Sequence, residues 1–225
     1  MRIPEINIKL GTFKLPDEMS FDEGTFIEPL GCVIRGQRIA NIKTGDVVLV
    51  IGSGISGLMH VQMAKARGAL KIIATDITEF RLNSALKFGA DAVINAKNDV
   101  PAILRALNDN RLADVVIICT GALPAVSQAL KCVDKGGTIL FFAVPRPDEN
   151  VILPVNDFWR NEIKVFTSYG AAPYDLKISM EMIRAGKINA KDMITHRLKF
   201  DDIGKGFKLV ADAKDSIKVV VDMMQ

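Results

Sequence analysis

The ten residues Val48–Gly57, VLVIGSGISG, constrain the fold of this chain more than any other stretch. They join an unbroken apolar run, Val47–Ile51, to a segment with helical spacing of apolar residues. The junction carries Gly52, Gly54 and Gly57 in G-x-G-x-x-G register. A short, largely β-branched run of this kind marks a strand buried on both faces, as in a parallel sheet covered by helices. Gly52 permits a tight turn, Gly54 lets main chain approach a pyrophosphate, and Gly57 lets the helix lie against the strand. With Ser53 and Ile55 between them, these glycines place unpaired N–H groups at a helix start, where the dipole favours a negative ligand. The pattern has meaning because a strand precedes it and a helix follows.

The same alternation continues downstream. The runs KIIAT (71–75), AVIN (92–95), DVVIICT (114–120), GTILFFAV (137–144) and EIKVFTSY (162–169) read as strands. Helical stretches at 55–68, 79–89, 99–107 and 122–131 separate the first of them. Strands alternating with helices predict an α/β fold, a doubly wound parallel sheet of the Rossmann type with right-handed crossovers. Residues 1–20 alternate apolar with polar in part, so a strand is expected there. Ser20 and Asp22 offer N-caps for a helix over about 22–41. Another helix is expected at about 174–185, and the C-terminus reads strand, helix, strand through THRLKF, DDIGKGFKLVADAK and SIKVVVDM.

Asp76 closes IIATD, at the tip of the second strand and 19 positions beyond Gly57. A carboxylate there can accept both hydroxyls of an adenosine ribose and repels a 2′-phosphate, so NAD is expected over NADP. Arg81, one helical turn on, could tolerate a phosphate. Two other readings stand beside this one: Asp76 as a cap for the next helix, and the loop as part of an S-adenosylmethionine site, for which no later motif is found. Thr120 and Gly121 follow the strand DVVIIC at its carboxyl end, where ligands gather in open sheets, and are candidates for the nicotinamide half.

Net charge is only +3 and the basic residues are scattered, which argues against nucleic acid or an acidic membrane surface. No apolar run reaches the roughly 18 residues of a membrane span. Cys32, Cys119 and Cys132 form no CxxC pair and suit a reducing, cytoplasmic compartment.

FIEPLGCVIRGQR, KTGDVVLVIGSGISGLMHVQMAKARGA, DVVIICTGA, GGTILFFAVP, WRNEIKVFTSY and KDMITHRL together resemble the zinc-dependent medium-chain alcohol dehydrogenases, with the sorbitol and threonine dehydrogenase branch nearest. The resemblance runs in order through essentially the whole chain. It implies hydride transfer between NAD and a secondary alcohol or polyol, with a zinc ion polarising the alcohol oxygen. It also implies three segments: a catalytic-domain remnant with a linking helix over 1–45, a dinucleotide-binding domain over 46–189, and a C-terminal remnant over 190–225. By position Glu28 matches the family's carboxylate or thiolate at the catalytic zinc, either a direct ligand or linked through water. The family's other ligands, a cysteine and a histidine, lie in an N-terminal domain that the resemblance does not find here, so the zinc site is expected to be incomplete. Activity of this chain alone is therefore open, and a non-catalytic NAD-binding or scaffold protein is the alternative.

Further expectations follow from the same resemblance. Val144 matches a backbone position that holds the cofactor carboxamide, and Ser168 and Tyr169 end a strand near it. From their places in the chain, His60 is expected to pack the helix or cap it rather than contact the cofactor, Cys119 to be core, and Arg160 to pair with a surface acid rather than reach the cofactor; His196 is expected to be structural. Ile8, Leu10, Phe26, Ile203, Phe207 and Val219 would be left uncovered, and EIKVFTSY is a plausible edge that pairs with its mate in a homo-oligomer.

Overall fold

A computed structural model describes residues 2–223. In chain order the elements are α1 (Glu5–Gly11), α2 (Phe21–Gly24), α3 (Ile27–Ile39), β1 (Val47–Ile51), α4 (Ile55–Ala66), β2 (Lys71–Asp76), α5 (Glu79–Lys87) and β3 (Ala92–Asn95). Then come α6 (Val100–Leu107), β4 (Ala113–Ile118), α7 (Leu123–Ala129), β5 (Val133–Phe141), α8 (Val155–Arg160) and β6 (Lys164–Thr167). The chain continues through α9 (Pro173–Arg184), β7 (Ile194–Lys199), α10 (Ile203–Asp212) and β8 (Lys218–Asp222).

Six strands form one parallel sheet in the order β3-β2-β1-β4-β5-β6. The order reverses beside β1, and a crevice for ligands opens at such a switch point, outside the carboxyl ends of the strands. All five β1 side chains are buried, because helices cover both faces. On one face Val48, Val50, Leu58, Met59 and Ile72 pack with Leu30, Val33 and Ile34 of α3. On the other, Leu49, Ile51 and Ile73 pack with Leu104 of α6, Val126 of α7 and Phe158 of α8. Burying a side chain such as Leu49 contributes about 1.5–3 kcal/mol, so the sheet is held from both sides.

The N-terminal segment differs from the strand expected there. Residues 5–11 form a helix that buries none of its residues, carrying an i,i+4 pair between Glu5 and Lys9. Among the described residues no strand pairs with it, and period-2 patterning yields a strand only where a neighbour supplies hydrogen bonds. The helix expected over 22–41 is broken in two. Ser20 caps α2 with a capping box, its hydroxyl bonding Glu23. The chain then kinks at Thr25 and Phe26 before α3 begins.

Phe26 is a second correction, since its side chain is fully buried rather than left uncovered. Ile8, Leu10, Ile203 and Phe207 are exposed, and Val219 is half-buried. β7 and β8 form a separate two-stranded parallel sheet. It is fastened to the α2–α3 corner by ion pairs of Arg197 with Asp22 and of Lys191 with Glu23, and by Lys218 Nζ, which donates to Thr25 O at 3.2 Å.

Candidate functional site

The glycine loop is shaped by two close approaches and one open space. Gly52 sits at φ +92°, a left-handed conformation that glycine adopts without strain, and its N–H donates to Thr75 O at 2.9 Å. A Cβ on Gly57 would lie 1.9 Å from Gly52 O, so α4 can meet the strand only without one. A Cβ on Gly54, by contrast, would meet nothing nearer than Arg81 Nη1 at 3.9 Å. The space over Gly54 is therefore a cradle. The first bond of α4 runs from Leu58 N–H to Gly54 O, which leaves the N–H groups of Ile55, Ser56 and Gly57 without a carbonyl inside the helix.

Asp76 is buried beside this cradle. Its Oδ2 accepts from Ser53 N–H at 2.9 Å. Its Oδ1 accepts from Ile77 N–H at 2.8 Å, Thr78 N–H at 3.1 Å and the Thr78 hydroxyl at 3.3 Å. The carboxylate thus holds the turn into α5 and the glycine loop together. Arg81 approaches it from α5, with Nη1 3.8 Å from Oδ2, and Arg81 Nε is buried with no hydrogen-bond partner among the described residues.

On the other side of the switch point, Cys119 N–H donates to Ile51 O at 2.8 Å and draws the end of β4 against that of β1. Gly121 lies so close to the segment after β5 that a Cβ would come within 2.6 Å of Val144 O. Val144 itself is exposed and borders, with Gly121 and Arg146, a cleft of about 520 Å³. Gly52, Ser53, Gly54, Ile55, Gly57, Asp76, Arg81, Thr120, Gly121 and Val144 all come from the carboxyl ends of β1, β2, β4 and β5 or from the segments that follow them. Ser168 follows β6, its N–H bonded to Phe141 O and its buried Oγ without a partner among the described residues, while Tyr169 is almost wholly exposed.

Glu28 stands apart. It is exposed on the first turn of α3, where its Oε1 accepts from Cys32 Sγ at 3.2 Å. Burial, and then this carboxylate, push the Cys32 thiol up to about 12. Among the described residues no three His, Cys, Asp or Glu side chains gather where they could hold a metal. A catalytic zinc takes three protein ligands, so the donors present do not fit one.

The remaining candidates are structural. His60 is fully buried on α4, with its ring edge-on to Phe142 at 4.5 Å. Gln37 Nε2 of α3 lies 3.2 Å from His60 Nδ1 and donates to His60 O at 2.8 Å. Burial alone lowers the imidazole to about 3, so it is neutral. His196 lies on β7, 3.0 Å from Thr195 Oγ1. Cys119 is half-buried against the core, where burial raises its thiol well above the usual range. Arg160 is a correction: it stacks over the Trp159 ring at 5.8 Å, and no carboxylate is within ion-pair distance among the described residues.

Sequence reasoning missed Lys218, which lies over Phe26 at 5.0 Å and bonds the corner just before Glu28. It also missed the Asp175–Arg38 pair (3.0 Å) that ties α9 to α3. A single lysine at a strand start, or one acid in a helix, carries no pattern that would reveal either.

Residues 56–185 match the family model described as zinc-binding dehydrogenase. D-xylulose reductase of Saccharomyces cerevisiae is 30% identical over 217 residues, covering 93% of this chain and 60% of the relative. The crystal structure of 2R,3R-butanediol dehydrogenase from Bacillus subtilis superposes with a TM-score of 0.85 at 26% identity, covering 94% of this chain and 60% of that one. A structure from Sinorhizobium meliloti bound to NADP gives 0.86 at 27% identity, covering 94% and 62%. The chain thus spans about 60% of the length of the proteins it matches.

Proposed function

The chain belongs to the zinc-binding dehydrogenase family, and from that premise we propose that residues 46–189 bind a nicotinamide dinucleotide for oxidation of a small secondary alcohol or polyol. The observation that carries the reading is the open cradle at Gly54, flanked by helix N–H groups and by the Asp76 carboxylate. In this arrangement the N–H groups of Ile55 and Ser56 hold the pyrophosphate, and Asp76 faces the adenosine ribose with Arg81 beside it. Thr120, Gly121 and the Val144 main chain flank the nicotinamide. The chemistry such a cofactor supplies is acceptance or return of a hydride.

NAD is the preferred cofactor in this reading, because a buried carboxylate repels a 2′-phosphate. Arg81 moderates the preference, and the Sinorhizobium meliloti relative is itself bound to NADP. Titration with NADH and NADPH, followed by nicotinamide fluorescence, tests the assignment. Saturable NADH binding at least about tenfold tighter than NADPH is expected from one desolvated like-charge contact. Absence of saturable binding by either would overturn it.

The metal requirement is a separate matter. Glu28 and Cys32 alone make no zinc site, and that donor set favours a second reading in which the chain binds the dinucleotide without turning over. Dehydrogenase assays on polyols, run beside the fluorescence titration, separate the two.

Residues 1–45 and 190–225 are proposed to form one unit. The contacts of Asp22, Glu23 and Thr25 with Arg197, Lys191 and Lys218 support it. A homo-oligomer is proposed through the free edge of β6, near which Val155, Trp159 and Tyr169 are exposed. A cytoplasmic location is proposed from three cysteines with no disulfide among them. No helix among the described residues is long and apolar enough to cross a membrane.

A further inference from the structure

At the far end of α4 from the glycine loop lies a cleft of about 380 Å³. Three lysines from three elements line it: Lys65 from α4, Lys87 from α5 and Lys187 just after α9. Lys87 pairs with Asp192 at 3.4 Å, whereas Lys65 and Lys187 have no carboxylate within ion-pair distance among the described residues. The polar lining is equally one-sided. Gln62 is 6% exposed, and its Oε1 is taken by Asn189 N–H at 2.7 Å. Its Nε2 has only the weak acceptor Met193 Sδ, at 3.7 Å. Asn189 Oδ1 is likewise taken, by Asp192 N–H at 3.2 Å. Both side-chain amide oxygens at the cleft are thus engaged, while Gln62 Nε2 keeps only that weak partner.

Each of these lysines lies at or just beyond a helix C-terminus, where a cation offsets the carbonyl end. That accounts for one lysine per helix. It does not account for three converging on one cavity beside a buried amide whose NH2 group has only a sulfur for a partner. We propose that this cleft binds a compact anion of two or more charges, a phosphate or a polycarboxylate. Lys65 and Lys187 supply the charge, and the Gln62 and Asn189 amides fix its orientation. Charge-assisted hydrogen bonds to an ammonium are among the stronger ones, and the cleft holds a ligand of this size with room for bridging water. The site is separate from the cofactor cradle, being lined by the opposite end of α4.

The test is thermal unfolding and titration calorimetry of the full chain with sodium hydrogen phosphate, citrate, and sodium chloride at matched ionic strength. At about 10 mM ligand a rise in Tm of about 3–5 °C over the chloride control is expected for an affinity on the order of 1 mM. A response to citrate alone identifies a polycarboxylate site, and a response to phosphate alone a phosphate site.

Phosphate also suits the glycine loop, so the measured quantity is the part of the response lost in K65M/K187M. That variant is expected to bind at least about tenfold more weakly while its NADH affinity stays unchanged. A variant that responds like the native chain, or a native chain that responds no more than to chloride, overturns the proposal. Should the double replacement fail to fold, K187M alone at its exposed position is read the same way, with at least about a threefold loss expected. Failure of NADH binding would bear on the cofactor assignment and not on this lysine-dependent difference.

Discussion

Ser53 N–H donates to Asp76 Oδ2 across 2.9 Å in a buried setting, so the acid after β2 holds the glycine loop directly. Asp76→Ala would leave that N–H and those of Ile77 and Thr78 without their acceptor. A buried donor stripped of its partner costs about 1–3 kcal/mol, so chemical denaturation should show a loss of that size. NADH affinity should fall with it, and discrimination against NADPH should relax. An Asp76→Ala chain with native stability would show that the carboxylate does not hold the loop.

Gly54 and Gly57 offer a sharper separation of fold from binding. Alanine at Gly57 places a methyl 1.9 Å from Gly52 O, and the helix must move. Overpacking of that severity costs more than about 3 kcal/mol, so Gly57→Ala should lower stability and abolish NADH binding together. Alanine at Gly54 meets only Arg81 Nη1 at 3.9 Å, so the melting temperature should hold. Its methyl occupies the cradle itself, and NADH should bind at least about tenfold more weakly through lost close approach. If Gly54→Ala binds NADH normally, the pyrophosphate does not sit there.

The sequence made the sheet legible because its signals are local. Val47–Ile51, the glycine loop and Asp76 each carry their meaning within a few residues, and the parallel order follows from alternation. The ends were less legible. INIKL alternates like a strand, yet among the described residues no strand pairs with it, and residues 5–11 are helical. Phe26 is expected to be uncovered only by the resemblance; it packs instead into the main core cluster with Met19, Leu30 and Ile34, with Lys218 over its ring. At Asp76 the sequence supports both a ribose contact and a helix cap. The structure shows the carboxylate holding the turn before α5, whose N-cap is Thr78, and leaves the ribose role to the binding experiment.

His60 should make the protein acid-sensitive. Its pKa is about 3 when folded, against about 6.5 for an exposed imidazole, because burial opposes the charge. The unfolded chain therefore binds the extra proton first, and this stability is present above pH 6.5 and lost as pH falls toward 3. The slope is about 1.4 kcal/mol per pH unit at most within that window. Urea unfolding of the native chain and His60→Leu at pH 7, 5.5 and 4.5 checks the sign, since carboxylates common to both cancel in the difference. The gap between them should narrow as pH falls; a constant gap would mean that His60 does not titrate with unfolding.

Glu28 and Cys32 set the expectation for metal. A thiol 3.2 Å from a carboxylate, pushed up to about 12, stays protonated at neutral pH and is a poor ligand without a strong metal to displace its proton. With no third donor among the described residues, the chain studied alone should retain well under about one zinc after a chelator wash, the site lacking the three ligands a catalytic zinc takes. Its melting temperature should then be the same with and without the chelator. Elemental analysis giving one zinc per chain, removed by Glu28→Ala, would show that donors outside this cluster converge on Glu28, and would restore the catalytic reading for the chain alone. Native zinc content in Glu28→Ala would place any metal elsewhere.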